Sequence, residues 1–196
     1  MATATGFDRD DEPIDRKIEQ AILSAAAENI LFFAAAGNYG PLKRIRFPAR
    51  MQNPVFCMFS TDAGAAIAGK SASNNPSPAI NAGNFAILGE NVEFPDDRGV
   101  SKKMTGTSAS TYIAAGLAGH FLAFAAQDDI CTNLLRADTL KRFNGMSKLF
   151  IYLTQSSHHS GYRSITLEKL LADAQYMDNE RARDHIRTKI QEALEG

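Results

Sequence analysis

The sequence predicts an α/β domain with a mainly parallel sheet flanked by helices, followed by a C-terminal helical extension. Apolar runs such as residues 30–36 lack the alternation of a half-exposed strand, as expected where both faces of a strand are covered. Segments whose apolar residues recur at helical spacing lie between and after these runs. We therefore expect a sheet domain over residues 1–127 and a helical extension over residues 128–196.

The first helix is predicted over residues 13–29. Pro13 follows an acidic cluster, which suits a helix start, and the apolar residues after it recur every four positions. The elements that follow are predicted from apolar runs separated by glycine turns and polar loops: strands at 30–36, 55–59 and 85–88, a peripheral hairpin of 92–94 with 102–105, and a helix at 108–126. This last helix is apolar nearly all round, so we expect it to run through the centre of the fold.

The C-terminal extension is predicted to hold three helical segments, at 138–155, 166–175 and 178–195. In the last of these, Ala182, Ile186, Ile190 and Ala193 form one apolar stripe among charged residues. We expect these helices to pack on the sheet domain.

The net charge and the apolar segments indicate which partners and which compartment to expect. Twenty-one basic and 22 acidic residues leave a formal net charge of -1, so no basic excess indicates nucleic-acid or anionic-membrane binding. No secretory signal is visible, and the longest apolar segment, 112–126, is shorter than the ~20 residues of a membrane span. We expect an intracellular, cytoplasmic protein. Cys57 and Cys131 are expected to be plain buried thiols.

Neither a cofactor nor a metal is predicted. The chain holds no phosphate-binding glycine loop of the GxGxxG or Walker kind. The acidic segment at residues 8–12, DRDDE, lacks the alternating ligands and the glycine of a calcium loop. It stands where a helix N-terminus benefits from negative charge, so we interpret it as favouring the helix start.

Ser108 stands in the stretch GTSAS, where a glycine turn meets the long apolar helix. A serine at a helix start commonly caps the helix by accepting a backbone N–H. It can also be a nucleophile, because free N–H groups and the positive end of the helix dipole favour the negative charge of acyl transfer. Asn38 is equally ambiguous, since asparagine tolerates the left-handed conformation of a glycine turn. Position alone leaves both alternatives open.

Two motifs, taken in their chain order, resemble the subtilisin-like serine peptidases of the S8 type. FAAAGNYG, residues 33–40, is similar to the segment that carries the family's oxyanion asparagine, and GTSASTYIAAG, residues 106–116, to its nucleophile motif GTSxAxPxxAG. The C-terminal part, with NGMSKLFIYL, is similar to the tail of a fungal intracellular subgroup. The resemblance implies an incomplete subtilisin-like fold that contains only the serine-bearing, C-terminal half.

The resemblance also implies the roles of individual residues. Ser108 matches the nucleophile, and Asn38 matches the side-chain donor of the oxyanion hole, with the Ser108 N–H as its partner. The implied activity is a serine endopeptidase that hydrolyses peptide bonds in a peptide or protein substrate through a Ser108 acyl-enzyme. Tyr112 departs from the motif, because the family has proline there. A first-turn proline presets the helical backbone angle, so we expect its loss to weaken the turn around Ser108.

This interpretation needs a general base for Ser108, and no histidine of the sequence matches the family's base. The family's chain order is aspartate, histidine, serine, and the opening ATGF matches the end of its substrate-lining strand, so we expect the chain to begin after the first two. His120 lies twelve residues beyond Ser108, about 18 Å along a continuous helix. His185 is expected to be solvated. His158 and His159 fall in a predicted polar loop, with metal binding as a minor alternative.

Two functions of different class therefore remain. The isolated chain is expected to be inactive, and to become a peptidase only when a complementing N-terminal half or a larger multidomain chain supplies the aspartate and histidine. The alternative is a non-catalytic pseudopeptidase remnant that binds a peptide or a protein, through the cleft beside Asn38 and Ser108 or through an open sheet edge.

Overall fold

A computed structural model describes residues 1–4, 6–7, 12–51, 53–64, 74–78, 84–154 and 161–196. Residues 8–11 of the acidic segment, as well as His158 and His159, lie outside these ranges. The strands are β1 (Ala2–Thr3), β2 (Phe32–Ala35), β3 (Val55–Thr61), β4 (Asn84–Leu88), β5 (Val92–Pro95), β6 (Ser101–Met104) and β7 (Arg163–Ser164). The helices are α1 (Glu12–Ala27), α2 (Thr107–Ala125), α3 (Asp128–Cys131), α4 (Phe143–Tyr152), α5 (Glu168–Leu171) and α6 (Asn179–Glu195).

Five of the strands form one parallel sheet in the order β1-β2-β3-β4-β7. The three central strands are almost entirely buried, which explains why their sequences show no polar alternation. Strands β5 and β6 pair antiparallel as the predicted peripheral hairpin. The predicted fold class, a mainly parallel sheet flanked by helices, is confirmed.

One face of the sheet carries a large core, which we call the α2-side core. Phe33, Phe56 and Phe85 project from three neighbouring strands and meet Phe150 of α4. Ala114, Ala118 and Phe121 of α2 pack into the same cluster, as do Ile190, Ala193 and Leu194 of α6. Helices on this face therefore come from both the middle and the end of the chain.

The opposite face carries a smaller core, which we call the α1-side core. Its helix, α1, contributes Ile22, which is 5% exposed, with Ile18 and Ala25 packed against it. The strand residues on this face are Phe32, Ala34, Val55, Cys57, Phe59 and Ala86. Neighbouring residues of each strand thus enter opposite cores, as the period-two geometry of a strand requires.

The segment after residue 127 is less regular than predicted. Arg142 has an extended backbone, with φ -109° and ψ 152°, and it separates a 3₁₀ turn at Ala137–Lys141 from α4. The predicted helix over 166–175 is replaced by the short α5 and a 3₁₀ turn at Ala174–Tyr176, and β7 before it was not predicted. The helix predicted at 178–195 is confirmed by α6. The division into domains 1–127 and 128–196 stays a prediction.

Helix α2 does not pass through the centre of the described structure. Ala114 and Ala118 are buried against the sheet, whereas Tyr112, Gly116 and Gly119 are exposed. The prediction rested on an apolar sequence all round, which is expected of a helix covered on every side. Within the described ranges, no helix is both long and apolar enough to cross a membrane.

Candidate active site

The turn after β2 and the start of α2 meet at one end of the sheet. The Gly37 N–H donates to Thr107 Oγ1 at 3.2 Å, and the Thr107 N–H donates to Asn38 Oδ1 at 2.8 Å. These two hydrogen bonds join residues about 70 positions apart in the sequence. The structure therefore brings together the two motifs that carry Asn38 and Ser108.

Glycine is required at the join. Gly106 has φ 142°, a backbone conformation that side chains disfavour. A Cβ atom there would lie 2.8 Å from Asn38 Nδ2, so the Asn38 amide lies directly against the Gly106 backbone. The Gly106 N–H donates to Gly89 O at 2.8 Å, which ties the start of α2 to the end of β4.

The hydrogen bond to Asn38 Oδ1 fixes the orientation of its amide. Asn38 Oδ1 accepts from the Thr107 N–H, so the Nδ2 group of this exposed side chain is available as a hydrogen-bond donor. Ser108 is the second residue of α2, and N–H groups of a first helical turn have no intrahelical acceptor. The flanking Ala109 N–H bonds to Gly106 O at 3.1 Å. Asn38 Nδ2 and the Ser108 N–H are thus two donors at one helix N-terminus.

Ser108 does not cap α2. The residue at the cap position is Gly106, with no side-chain cap hydrogen bond, and Ser108 already lies within the first turn. The half-buried Ser108 hydroxyl donates to Ala4 O at 3.3 Å instead. The capping interpretation of this serine is wrong, whereas its role as a nucleophile stays a prediction.

Sequence reasoning missed the residues that hold these two in place. Buried Thr107 bonds both residues of the Gly37–Asn38 turn, and Thr111 Oγ1 donates to Thr107 O at 2.7 Å. Ser110 Oγ donates to Ile87 O at 3.0 Å and fastens the helix to β4. The signal was the run TSAST, in which three hydroxyl residues besides Ser108 open an apolar helix.

A second group of contacts joins the end of the Asn38 turn to residues 74–76 and holds that segment in place. The Gly40 N–H donates to Asn74 O at 2.9 Å. Buried Asn75 forms three hydrogen bonds with Ser60 near the end of β3. Its Oδ1 accepts from the Ser60 N–H and hydroxyl, and its Nδ2 donates to Ser60 O. Tyr162 donates its hydroxyl to Pro76 O at 2.6 Å, and burial raises the pKa of Tyr162 to about 12.

The described histidines lie away from Ser108 or on another element. Helix α2 is continuous from Thr107 to Ala125, so exposed His120 lies about 18 Å from Ser108 along its axis. His185 lies on α6, where it is half-buried rather than fully solvated, and its Nε2 atom is buried. Within the described ranges, no cluster of His, Cys, Asp and Glu suited to a metal ion occurs.

The two cysteines differ from each other. Cys57 is buried in β3, and this burial raises the pKa of its thiol. Cys131 is exposed at the end of α3, so the expectation of two buried thiols is wrong for this residue. The sequence around Cys131 has no apolar pattern from which its burial or exposure could be predicted.

A comparison with models of protein families agrees with the chain order of the two motifs and with their position at one end of a parallel sheet. The model of the subtilase family, Peptidase S8, matches residues 3–150. The chain belongs to the subtilase family. This match includes both Asn38 and Ser108, and it extends beyond residue 127 through most of α4. No curated protein sequence matches this subtilase chain.

Solved structures share the fold of this subtilase chain. The prenylagaramide maturation protease PagA aligns with all of the chain at 17% identity and a TM-score of 0.59, and the chain covers 60% of PagA. The self-cleaved protease domain of PatA aligns with 88% of the chain at 21% identity and a TM-score of 0.58, with 60% of that domain covered. The PatG macrocyclase domain aligns with 97% of the chain at 14% identity and a TM-score of 0.60, with 50% covered. The chain thus spans 50% to 60% of the length of these three neighbours.

Proposed function

We propose that the chain is the serine-bearing part of a subtilisin-like serine endopeptidase, with Ser108 as nucleophile and Asn38 as oxyanion donor. The observation that carries this proposal is the 2.8 Å hydrogen bond from the Thr107 N–H to Asn38 Oδ1. It leaves Asn38 Nδ2 beside the N-terminus of α2, where the Ser108 N–H is a second donor. Two donors at a helix N-terminus suit the negative oxygen of a tetrahedral intermediate.

The reaction proceeds through an acyl-enzyme. Ser108 Oγ attacks the peptide carbonyl carbon while its proton passes to a base, and the carbonyl oxygen becomes an anion held by Asn38 Nδ2 and the Ser108 N–H. Collapse of this intermediate expels the amine, which takes the proton. Water then attacks the ester and releases Ser108. An amine in place of water would yield a new peptide bond, and one structural neighbour is named a macrocyclase domain.

The base is proposed to come from polypeptide outside this sequence. In the described part of the chain, the Ser108 hydroxyl donates to Ala4 O, which is a main-chain carbonyl and no base. The chain leaves 40% to 50% of the length of these three structural neighbours uncovered, which is room for segments that carry a histidine and an aspartate. The proposed partner is therefore a complementing N-terminal segment, in one long chain or as a separate polypeptide. The fungal intracellular subgroup is the proposed source of such a chain.

The second candidate is a peptide-binding pseudopeptidase. The Ser108 to Ala4 hydrogen bond favours it, because a hydroxyl that donates to a carbonyl keeps its proton and is a poor nucleophile. The exposed Asn38 amide would then bind a peptide carbonyl without bond cleavage.

Labelling with a fluorophosphonate, which reacts only with activated serines, tests the proposal. The isolated chain is expected to remain unlabelled, whereas the protein that includes the upstream segment labels at Ser108 and not in a Ser108→Ala control. In subtilisin itself, loss of one oxyanion donor lowers kcat about 10²- to 10³-fold. An Asn38→Ala variant of the complete protein should lose a comparable factor in labelling rate. If the complete protein is folded and still stays unlabelled, the peptidase proposal is rejected and the peptide-binding alternative remains.

A further inference from the structure

Helix α2 is apolar nearly all round, although only one side of it is buried in the described structure. The buried side, which includes Ala114 and Ala118, packs against the sheet. On the opposite side, exposed residues follow one another at spacings of four, three and four positions, so they share one face. These residues are Tyr112, Gly116, Gly119 and Ala123. We call these four residues the outer face of α2.

The two glycines of the outer face have no packing role within the described ranges. Glycine inside a helix is destabilising relative to alanine, because it loses more backbone freedom on folding. Apart from nearby residues of α2, no atom of the described ranges lies within 4 Å of the place that a Cβ would take on Gly116 or Gly119. By contrast, a Cβ on Gly106, at the start of the same helix, would lie 2.8 Å from Asn38 Nδ2. Gly116 and Gly119 therefore leave space for the approach of another backbone.

A helix is the element that suits this space. Ala123 lies eleven residues beyond Tyr112, so the outer face runs for about 16 Å along the helix axis. The glycines between them let a second helix approach more closely than larger side chains would. A helix satisfies its own backbone hydrogen bonds, whereas irregular chain laid on this face would bury unpaired backbone groups. Because the outer face carries no charge, the contacting side of the second helix is expected to be apolar as well.

The surroundings of the outer face indicate which polypeptide supplies the helix. The face begins one turn after Ser108, whose hydroxyl donates to Ala4 O just beyond β1. Strand β1 is at the edge of the five-stranded sheet and pairs only with β2 among the described strands. The open sheet edge and the uncovered helix face thus meet at the candidate active site. The chain leaves 40% to 50% of the length of the three solved neighbours uncovered, which is enough for a strand and a helix.

We propose that the outer face of α2 is a docking surface for a helix of the complementing N-terminal segment. The apolar side of that helix packs over Gly116 and Gly119, and Tyr112 contacts its end nearer to Ser108. Docking buries the outer face and holds α2 from the side away from the sheet. This inference rests on the proposed function for the identity of the segment, and it adds the surface on which the segment binds.

Cysteine labelling tests the docking surface. Gly116→Cys is made in a Cys131→Ser background, because Cys131 is exposed and Cys57 is buried. The matched control in the same background is Ile151→Cys, since Ile151 is 44% exposed on α4. In the complete protein, which includes the upstream segment, Gly116→Cys is expected to react with a maleimide about tenfold more slowly than the control, as protection by local packing requires. In the isolated chain, the two variants are expected to react at similar rates.

The melting temperature of a Gly116→Leu variant gives a second test. In the isolated chain, this substitution should raise the melting temperature, because leucine favours a helix and the space for its Cβ is empty. In the complete protein, the same substitution should lower it, because the larger side chain keeps the two helices apart. A rise in both proteins would contradict a helix packed on this glycine.

The outcomes separate this inference from the proposed function. If Gly116→Cys reacts as fast as the control in the complete protein, the docking surface is rejected. If it already reacts slowly in the isolated chain, and more slowly at higher protein concentration, a second copy covers the face and the inference is also rejected. Protection of Gly116→Cys, combined with absent fluorophosphonate labelling of the complete protein, would uphold the docking surface and reject the peptidase. Labelling of Ser108 without protection would do the reverse.

Discussion

The two faces of the central sheet differ in what covers them. The α2-side core joins five buried phenylalanines with further side chains from α2, α4 and α6, so it assembles buried residues from Leu31 to Leu194. The α1-side core is smaller and joins alanines and few large side chains to the single helix α1. Burial of large side chains contributes most to the hydrophobic stabilisation. Stability should therefore depend mainly on the α2 side, and on residues that sequence reasoning assigned to an extension.

The largest expected effect follows from truncation of Phe150. This residue is fully buried, and its ring centroid lies 5.5 Å from that of Phe56 and 5.6 Å from that of Phe85. Phe150→Ala should lower the free energy of unfolding by about 3–5 kcal/mol, measured by urea denaturation. The neighbouring Ile151→Ala is the control, because Ile151 is 44% exposed and should cost far less. Equal losses in both variants would contradict a core that extends into α4.

A smaller effect is expected on the other face. Ile22 is buried under α1, and Ile22→Ala should cost about 2–3 kcal/mol, near the lower end for such truncations because the α1-side core is small and can relax. Leu23→Ala is the matched control, since Leu23 is 47% exposed in the same helical turn. A loss for Ile22→Ala as large as that for Phe150→Ala, in the same urea titration, would show that the two faces contribute equally.

The smallest effect concerns the ion pair at the edge of the α2-side core. Arg183 of α6 donates to both oxygens of Asp129 in α3, and this hydrogen bond lowers the pKa of the Asp129 carboxyl. A carboxyl with a lowered folded-state pKa stabilises the protein above its unfolded-state pKa, and this contribution is lost as the pH falls through the folded-state value.

Asp129→Asn should therefore lower the melting temperature slightly at neutral pH and leave it unchanged at strongly acidic pH. The pair is exposed, so salt should reduce the difference. Asp128→Asn, in the same turn of α3, is the control. Thermal melts at several pH values in which Asp129→Asn loses as much at acidic as at neutral pH would exclude the ion pair as the cause.

The sheet could be predicted from the sequence because its signals are local. Residues 30–36 and 55–59 are continuous apolar runs, which is the pattern expected of parallel strands buried on both faces. Strand β7 could not be found, because Arg163 and Ser164 form only a two-residue strand whose place depends on pairing with β4. The break at Arg142 is likewise set by packing, since the sequence around it holds no proline.

The candidate site was predictable in its two motif residues and not in their support. Asn38 and Ser108 were singled out because two motifs stand in the chain order of the family they resemble, and their catalytic roles stay predictions. Thr107 and Asn75 act through hydrogen bonds to backbone and side-chain groups that are distant in the sequence, and no local sequence pattern predicts such partners.

Ile190, Ala193 and Leu194, near the end of the sequence, are buried in the α2-side core, and this has a consequence for folding during biosynthesis. During translation, Phe33, Phe56 and Phe85 leave the ribosome long before Ile190, Ala193 and Leu194, which belong to the same buried cluster. The core therefore lacks part of its apolar cover until residues 190–194 have emerged, and exposed apolar surface of this kind is what chaperones bind.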